Sequence, residues 1–218
     1  MRTTAVLPVK SFSIAKRRLS QAVPGDDRQE LAAAMVTDVL AALTAVPQID
    51  EVVVVTAEPL AAHAAKQAGA AVVNDPDEIG QSAAVSRGID AALERGAERA
   101  LLVPGDCPAV DPAELASLLA RVTTDPSVVI VPDRHGSGTN ALLITPPDAV
   151  APSFGAGSFA RHAALAHAAG ATVKVCELPS LGLDVDTPDD LGALREALDA
   201  HAGGAAHTRA VLERLVPA

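Results

Sequence analysis

The chain has no tryptophan or tyrosine and only three phenylalanines, Phe12, Phe154 and Phe159, among 218 residues. Its core must therefore be built from Ala, Val and Leu, and an apolar content of 49% is enough for that. All three phenylalanines fall in stretches that read as loops, which predicts that those loops are structured. Two cysteines, Cys107 and Cys176, do not make a disulfide framework, and no C-x-x-C pair is present for zinc. No apolar run approaches the roughly 20 residues of a membrane helix. The segment 1–10 is too short in apolar residues for a secretory signal, so a cytoplasmic protein is expected. Basic residues are in deficit. The formal net charge of −10 argues against a nucleic-acid backbone as partner, though a small basic pocket with a metal would still suit a nucleotide. Neither a G-x-G-x-x-G after a strand nor a Walker Gly-Lys-Ser/Thr occurs, which disfavours a dinucleotide dehydrogenase and a P-loop.

What is present is a regular alternation of short apolar runs and helical patterns. Residues 3–9, 52–56 and 100–103 read as buried strands, and 71–73, 128–131, 141–144 and 171–175 as further strands. Leu31, Met35, Val39, Leu43 and Val46 recur at helical spacing over 26–46, with Asp26 or Asp27 as N-cap. Further helices are expected at 61–68, at 81–95, after Asp111-Pro112-Ala113-Glu114, at 158–169, and through Leu191, Leu194 and Leu198. The alternation predicts an α/β fold with a mostly parallel sheet and helices on both faces. In such sheets ligands sit beyond the carboxyl ends of the strands. No repeat or linker divides the chain. Residues 1–200 read as one domain and 201–218 as a C-terminal helical appendage, with the Ala/Gly-rich stretch 201–206 expected to fray.

The motif Asp184-Val185-Asp186-Thr187-Pro188-Asp189-Asp190 carries the most chemistry. Side chains two apart in extended backbone share a face, about 7 Å apart along the chain. Thr187 then reads as N-cap, Pro188 as N1, and Asp189 and Asp190 as ordinary acids of a first helical turn. Asp184 and Asp186 precede the cap. Paired carboxylates at such a turn resemble a magnesium site serving a phosphorylated substrate. Asp106, in the turn Pro104-Gly105-Asp106-Cys107-Pro108 after the strand 100–103, can converge on them, although a simple Asx-turn is the alternative. Three carboxylates together require a cation. Cys107 reads as a small packed residue, since no histidine is placed to activate it.

Lys10, Lys16, Arg17 and Arg18 lie within nine positions, forming either an anion site or a solvated basic turn. The stretch 132–140 is either an anion cradle of amides and hydroxyls or a plain hairpin. Phe154-Gly155-Ala156-Gly157-Ser158-Phe159 resembles an anion-binding helix N-terminus, with Ser158 as cap and donor. His162 and His167, five apart, do not share a face for zinc and read as ordinary helix residues, His162 being within reach of the anion site.

Together Leu7-Pro8-Val9-Lys10, Ala15-Lys16-Arg17-Arg18-Leu19, Pro104 with its four followers, and the stretches 132–142, 154–162 and 183–191 resemble the guanylyltransferases of coenzyme F420 biosynthesis. The resemblance spans about residues 3–195, and Gly-Thr-Asn-Ala-Leu and Asp-x-Asp-Thr-Pro are its more specific parts. It implies a single-domain GT-A-like nucleotidyltransferase fold with a central, mostly parallel mixed sheet. The implied reaction joins GTP to phosphoenolpyruvate or 2-phospho-L-lactate and releases pyrophosphate; with phosphoenolpyruvate the product is enolpyruvoyl-2-diphospho-5'-guanosine. By the same resemblance, Asp106, Asp184 and Asp186 would hold Mg2+, and Thr139, Gly155 and Ser158 the phosphorylated acid. Lys10, Lys16 and Arg18 would face the triphosphate, with Gly80, Ser82 and Pro104 also at the nucleotide. Gly80-Gln81-Ser82-Ala83 departs from the Gly-Leu-Asn that related enzymes often carry at their base contacts. The alanine-rich composition suggests an actinobacterial source and inclines the acceptor to phosphoenolpyruvate.

The residues support this chemistry independently. A substrate phosphate is already anionic, so its attack on the α-phosphorus needs positioning and charge neutralisation rather than a base. The alternatives are a nucleotidyltransferase with a sugar-phosphate or molybdopterin acceptor, and a nucleotide sensor without catalysis. A homodimer is one open state of assembly, and hand-over to the next transferase of the pathway is implied by resemblance.

Overall fold

Ala5, Leu7 and Val9 of β1 (Thr3–Val9) face one side of the sheet and Val6 the other, as the two-residue period of a strand requires. The computed structural model describes residues 1–13, 16–121, 125–200 and 203–215, the side chains of Arg17 and Gln21 excepted. β1 lies between β2 (Glu51–Thr56) and β4 (Arg99–Leu102), parallel to both, and β3 (Ala71–Asn74) extends the sheet parallel to β2. On the other side β6 (Thr139–Thr145) runs antiparallel to both β4 and β5 (Ser127–Pro132), and β7 (Thr172–Val175) closes that edge parallel to β5. The order is β3-β2-β1-β4-β6-β5-β7, with β6 alone reversed. The sheet is mostly parallel, as the alternation predicts, and the reversal of β6 makes it mixed, as the family resemblance implies.

α1 (Gly25–Thr44), α2 (Pro59–Gln67) and α4 (Pro112–Leu119) bury Val39, Leu43, Ala61, Leu115 and Leu118 against the Leu7 face. α3 (Gln81–Glu94) and α5 (Ser158–Ala168) cover the Val6 face through Val85, Ile89 and Ala166. α1 starts after Pro24 without a side-chain cap, and Asp26 and Asp27 lie in its first turn rather than at the cap. Phe159 belongs to α5 rather than to a loop.

A third cluster joins α1 to α6 (Pro188–Ala200) and α7 (Ala206–Arg214) through Leu31, Met35, Leu194, Leu198, Val211 and Leu212. The start of α7 is capped from a distance. Asp38 of α1, only 6% exposed, accepts the amides of His207 at 3.1 Å and Thr208 at 2.7 Å. Of the stretch expected to fray, residues 201 and 202 lie outside the described residues, while Ala206 already begins α7. No helix among the described residues is long and apolar enough to cross a membrane.

Candidate active site

β1, β3 and β4 end at one edge of the sheet, and the reversal of β6 brings its first residues, Thr139 and Asn140, to that same edge. A cleft of about 580 Å³ opens there. It is lined by Lys10, Lys16, Arg18, Gly80, Pro104, Asp106, Thr139, Gly155, Ser158, Asp184 and Asp186. Ser82, assigned to the nucleotide by resemblance, does not line it. Its hydroxyl instead accepts the Phe154 amide at 2.9 Å, tying α3 to the loop before α5. Ala15 lies outside the described residues.

Asp184 and Asp186 are not on a strand, because eight residues separate β7 from Asp184 and no strand among the described residues pairs with this segment. The two-residue alternation survives nonetheless: Val185 is fully buried between two half-buried aspartates. Its amide donates to the Asp106 carbonyl at 3.1 Å, which staples the two acidic loops together. Asn140 Nδ2 donates to the Leu181 carbonyl at 2.7 Å and to Asp184 Oδ1 at 3.2 Å. Burial, then the charge of Asp106, pushes the Asp184 carboxyl above its ordinary value despite that hydrogen bond.

Lys16 lines the cleft, and its ammonium is turned to the acidic loops. Its Nζ lies 2.6 Å from Asp106 Oδ2 and 2.9 Å from Asp186 Oδ1, with the side chain only 8% exposed. Burial alone would lower the ammonium's pKa, but the two carboxylates outweigh it and hold the group above the ordinary lysine value. Lys16 is thus the built-in counter-ion of the acidic site.

No three His, Cys, Asp or Glu side chains among the described residues form a ready metal cage. Magnesium does not require one, since it takes one or two carboxylates and completes its shell with water and substrate phosphates. The donors available are carboxylate oxygens, and Asp106 Oδ1 is buried with no hydrogen-bond partner. That orphaned oxygen fits a hard cation.

The stretch 132–140 forms the β5–β6 hairpin, whose Asn140 already touches Asp184. The amides of His135 and Ser137 are committed to Asp133 Oδ1, at 3.1 and 3.0 Å, so the plain-hairpin alternative describes them better than the cradle. Gly157, at φ 69°, is the left-handed cap of α5, where a side chain would be strained. Ser158 is therefore the first helical residue rather than the cap, and it is 1% exposed. Arg161, unmarked in the sequence, straps this loop by donating to the carbonyls of Ser153 at 3.0 Å and Phe154 at 3.1 Å, and to that of Ala156.

A family model described as guanylyl transferase CofC like matches residues 3–215. The chain belongs to this family. A phosphoenolpyruvate guanylyltransferase of Conexibacter woesei is 52% identical over 217 residues, 99% of this chain and 97% of that protein. One from Sphaerobacter thermophilus is 39% identical over 194 residues, covering 89% and 93%. Among solved structures, a nucleotidyl transferase from Methanothermobacter aligns over 92% of this chain and 99% of its own, with TM-score 0.64 and 21% identity. CMP:2-keto-3-deoxy-manno-octonic acid synthetase, complexed with CTP, aligns over 92% and 99% with TM-score 0.62 and 16% identity. At those identities the likeness concerns the fold.

In this guanylyl transferase family member the acid Asp190 does more than cap α6. Thr187 and Asp190 form a capping box: the Thr187 hydroxyl accepts the Asp190 amide at 3.3 Å, and Asp190 Oδ2 accepts the Thr187 amide at 2.7 Å. The same oxygen accepts the Asp186 amide at 3.0 Å, and Oδ1 pairs with Arg134 of the hairpin. Asp190 thereby sets the backbone that carries Asp186. Asp190→Ala is expected to cost about 2 kcal/mol in urea unfolding and to lower turnover by about tenfold or more. A stability loss with turnover unchanged would leave Asp190 a cap and nothing else. Cys107 is fully buried, and burial pushes its thiol well above the ordinary value, as suits a packing residue.

Proposed function

We propose that this cleft joins GTP to the phosphate of phosphoenolpyruvate, giving enolpyruvoyl-2-diphospho-5'-guanosine and pyrophosphate, in the cytoplasm and for coenzyme F420 biosynthesis. The observation that carries it is the meeting, at one sheet edge, of an acidic wall with an orphaned Asp106 oxygen and a wall of hydroxyls and glycines around Thr139, Gly155 and Ser158. The names of the Conexibacter and Sphaerobacter relatives support the choice of substrates.

Lys10 and Arg18 are exposed at the cleft and would meet the triphosphate, with Gly80 and Pro104 beside the nucleoside. Lys16 would keep the charge of Asp106 and Asp186 balanced while the anionic substrates enter. Thr139, Gly155 and Ser158 would hold the acid so that a phosphate oxygen faces the α-phosphorus. A P–O bond forms there, the bond to the β-phosphate oxygen breaks, and the electron pair leaves on pyrophosphate. No proton has to be removed from the nucleophile. Asp106, Asp184 and Asp186 would hold Mg2+, which when bound neutralises phosphate charge and orients the reacting groups. The product is a diphosphate diester whose phosphoanhydride bond is activated, suited to a following transferase that displaces GMP.

Pyrophosphate release from GTP, measured with phosphoenolpyruvate and with 2-phospho-L-lactate, tests the reading. Release with phosphoenolpyruvate is expected; release with the lactate alone would change the acceptor, and release with neither would end the proposal. Chelating divalent cations should lower the rate by about 100-fold or more, with recovery on adding Mg2+.

A further inference from the structure

His162 is fully buried on α5, with two polar partners. Its Nε2 accepts the Ser153 amide at 2.8 Å, and its Nδ1 lies 3.0 Å from the Thr139 hydroxyl oxygen. A backbone amide can only donate, so Nε2 must present its lone pair. A neutral imidazole with a bare Nε2 carries its proton on Nδ1, and that N–H points at Thr139. The ring is further held edge-on against Phe154, centroids 5.0 Å apart at 70°. Burial, then the neighbouring Arg161 charge, lowers the imidazole pKa to about 4, so the neutral form persists near pH 7.

We propose that His162 is a positioning residue that sets the polarity of the Thr139 hydroxyl: by donating to its oxygen, it leaves the hydroxyl hydrogen to donate into the cleft, toward an oxygen of the phosphorylated acid. A hydroxyl has one hydrogen. With the opposite tautomer, Thr139 would use that hydrogen on Nδ1 and turn only lone pairs toward an anion. Accepting the Nδ1–H also polarises the O–H and strengthens it as a donor to a charged acceptor. The sequence did not reveal this, because the partners of His162 lie 9 and 23 residues away. The inference rests on the reading of this wall as the phospho-acid site.

The test combines kinetics and spectroscopy on the full chain. His162→Phe should raise KM for phosphoenolpyruvate about tenfold and leave KM for GTP within about twofold. His162→Asn, whose amide can occupy the Nδ1 position, should recover part of the loss. In Thr139→Val the further change His162→Phe should add little, since the hydroxyl it orients is gone. Nitrogen-15 NMR of the histidine rings should show His162 as the Nδ1–H tautomer. An Nε2–H tautomer, equal rises in both KM values, or fully additive losses would overturn the inference. If phosphoenolpyruvate supports no turnover in the unaltered protein, the substrate assignment fails, and the tautomer still decides the His162–Thr139 contact. If the Phe variant does not fold, the Asn variant and the spectrum carry the test.

Discussion

Asp106→Asn is expected to lower pyrophosphate release by about 100- to 1,000-fold while the protein stays folded. Asparagine keeps the volume and an oxygen for Lys16 Nζ, which retains its 2.9 Å contact with Asp186. The fold therefore loses little. What disappears is one negative charge and the orphaned carboxylate oxygen, Oδ1, that the protein leaves without a partner in a buried place. A buried acceptor without a partner costs about 1–3 kcal/mol, and a site tolerates that cost where a ligand supplies the missing contact. Asp184→Asn should act in the same sense but also disturb Asn140, whose amide would then face another amide. The measurements are turnover with saturating GTP and phosphoenolpyruvate, and the urea midpoint of each variant. An Asp106→Asn protein within about threefold of normal would remove Asp106 from the metal-holding set.

Elements were legible in the sequence wherever they are local. Short β-branched runs such as Val52-Val53-Val54-Val55 and the cap Asp111-Pro112 report themselves, because period and capping act within a few residues. The direction of β6 was legible only through the hairpin alternative for 132–140, since periodicity is blind to strand polarity, and that reversal delivers Thr139 to the cleft. The Asp184–Asp186 alternation signalled a shared face correctly but not a strand, because pairing depends on a neighbour that the local sequence does not contain. Lys16 shows the limit most plainly. A lysine in a basic cluster suggests a bound anion, yet the anions it meets are two of the protein's own carboxylates, 90 and 170 residues away. The partners of Arg161 and His162 were hidden for the same reason: a polar residue on a helix discloses its partner only once the helix is packed.

Gly88→Val is expected to be the most damaging single change away from the cleft. Glycine in the middle of α3 costs the helix about 1 kcal/mol relative to alanine, so propensity alone predicts that a substitution would help. Packing predicts the reverse. A Cβ built at Gly88 would stand 2.3 Å from Val6 Cγ1 and 3.0 Å from Val55 Cγ2. Both valines are fully buried on central strands and have no room to retreat. Overpacking of this kind costs about 1–3 kcal/mol, and valine adds two further carbons to the clash. Alanine should therefore be destabilising by a small margin after the helix gain, and valine by about 3 kcal/mol or more. For a chain of this length that lowers Tm by about 6–12 °C. The effect should reach the cleft, because α3 begins beside Gly80 and carries the Ser82 hydroxyl that holds the Phe154 amide. A Gly88→Ala protein with a raised urea midpoint would mean that α3 can lift off β1 cheaply, and that the close approach is not what selects glycine there.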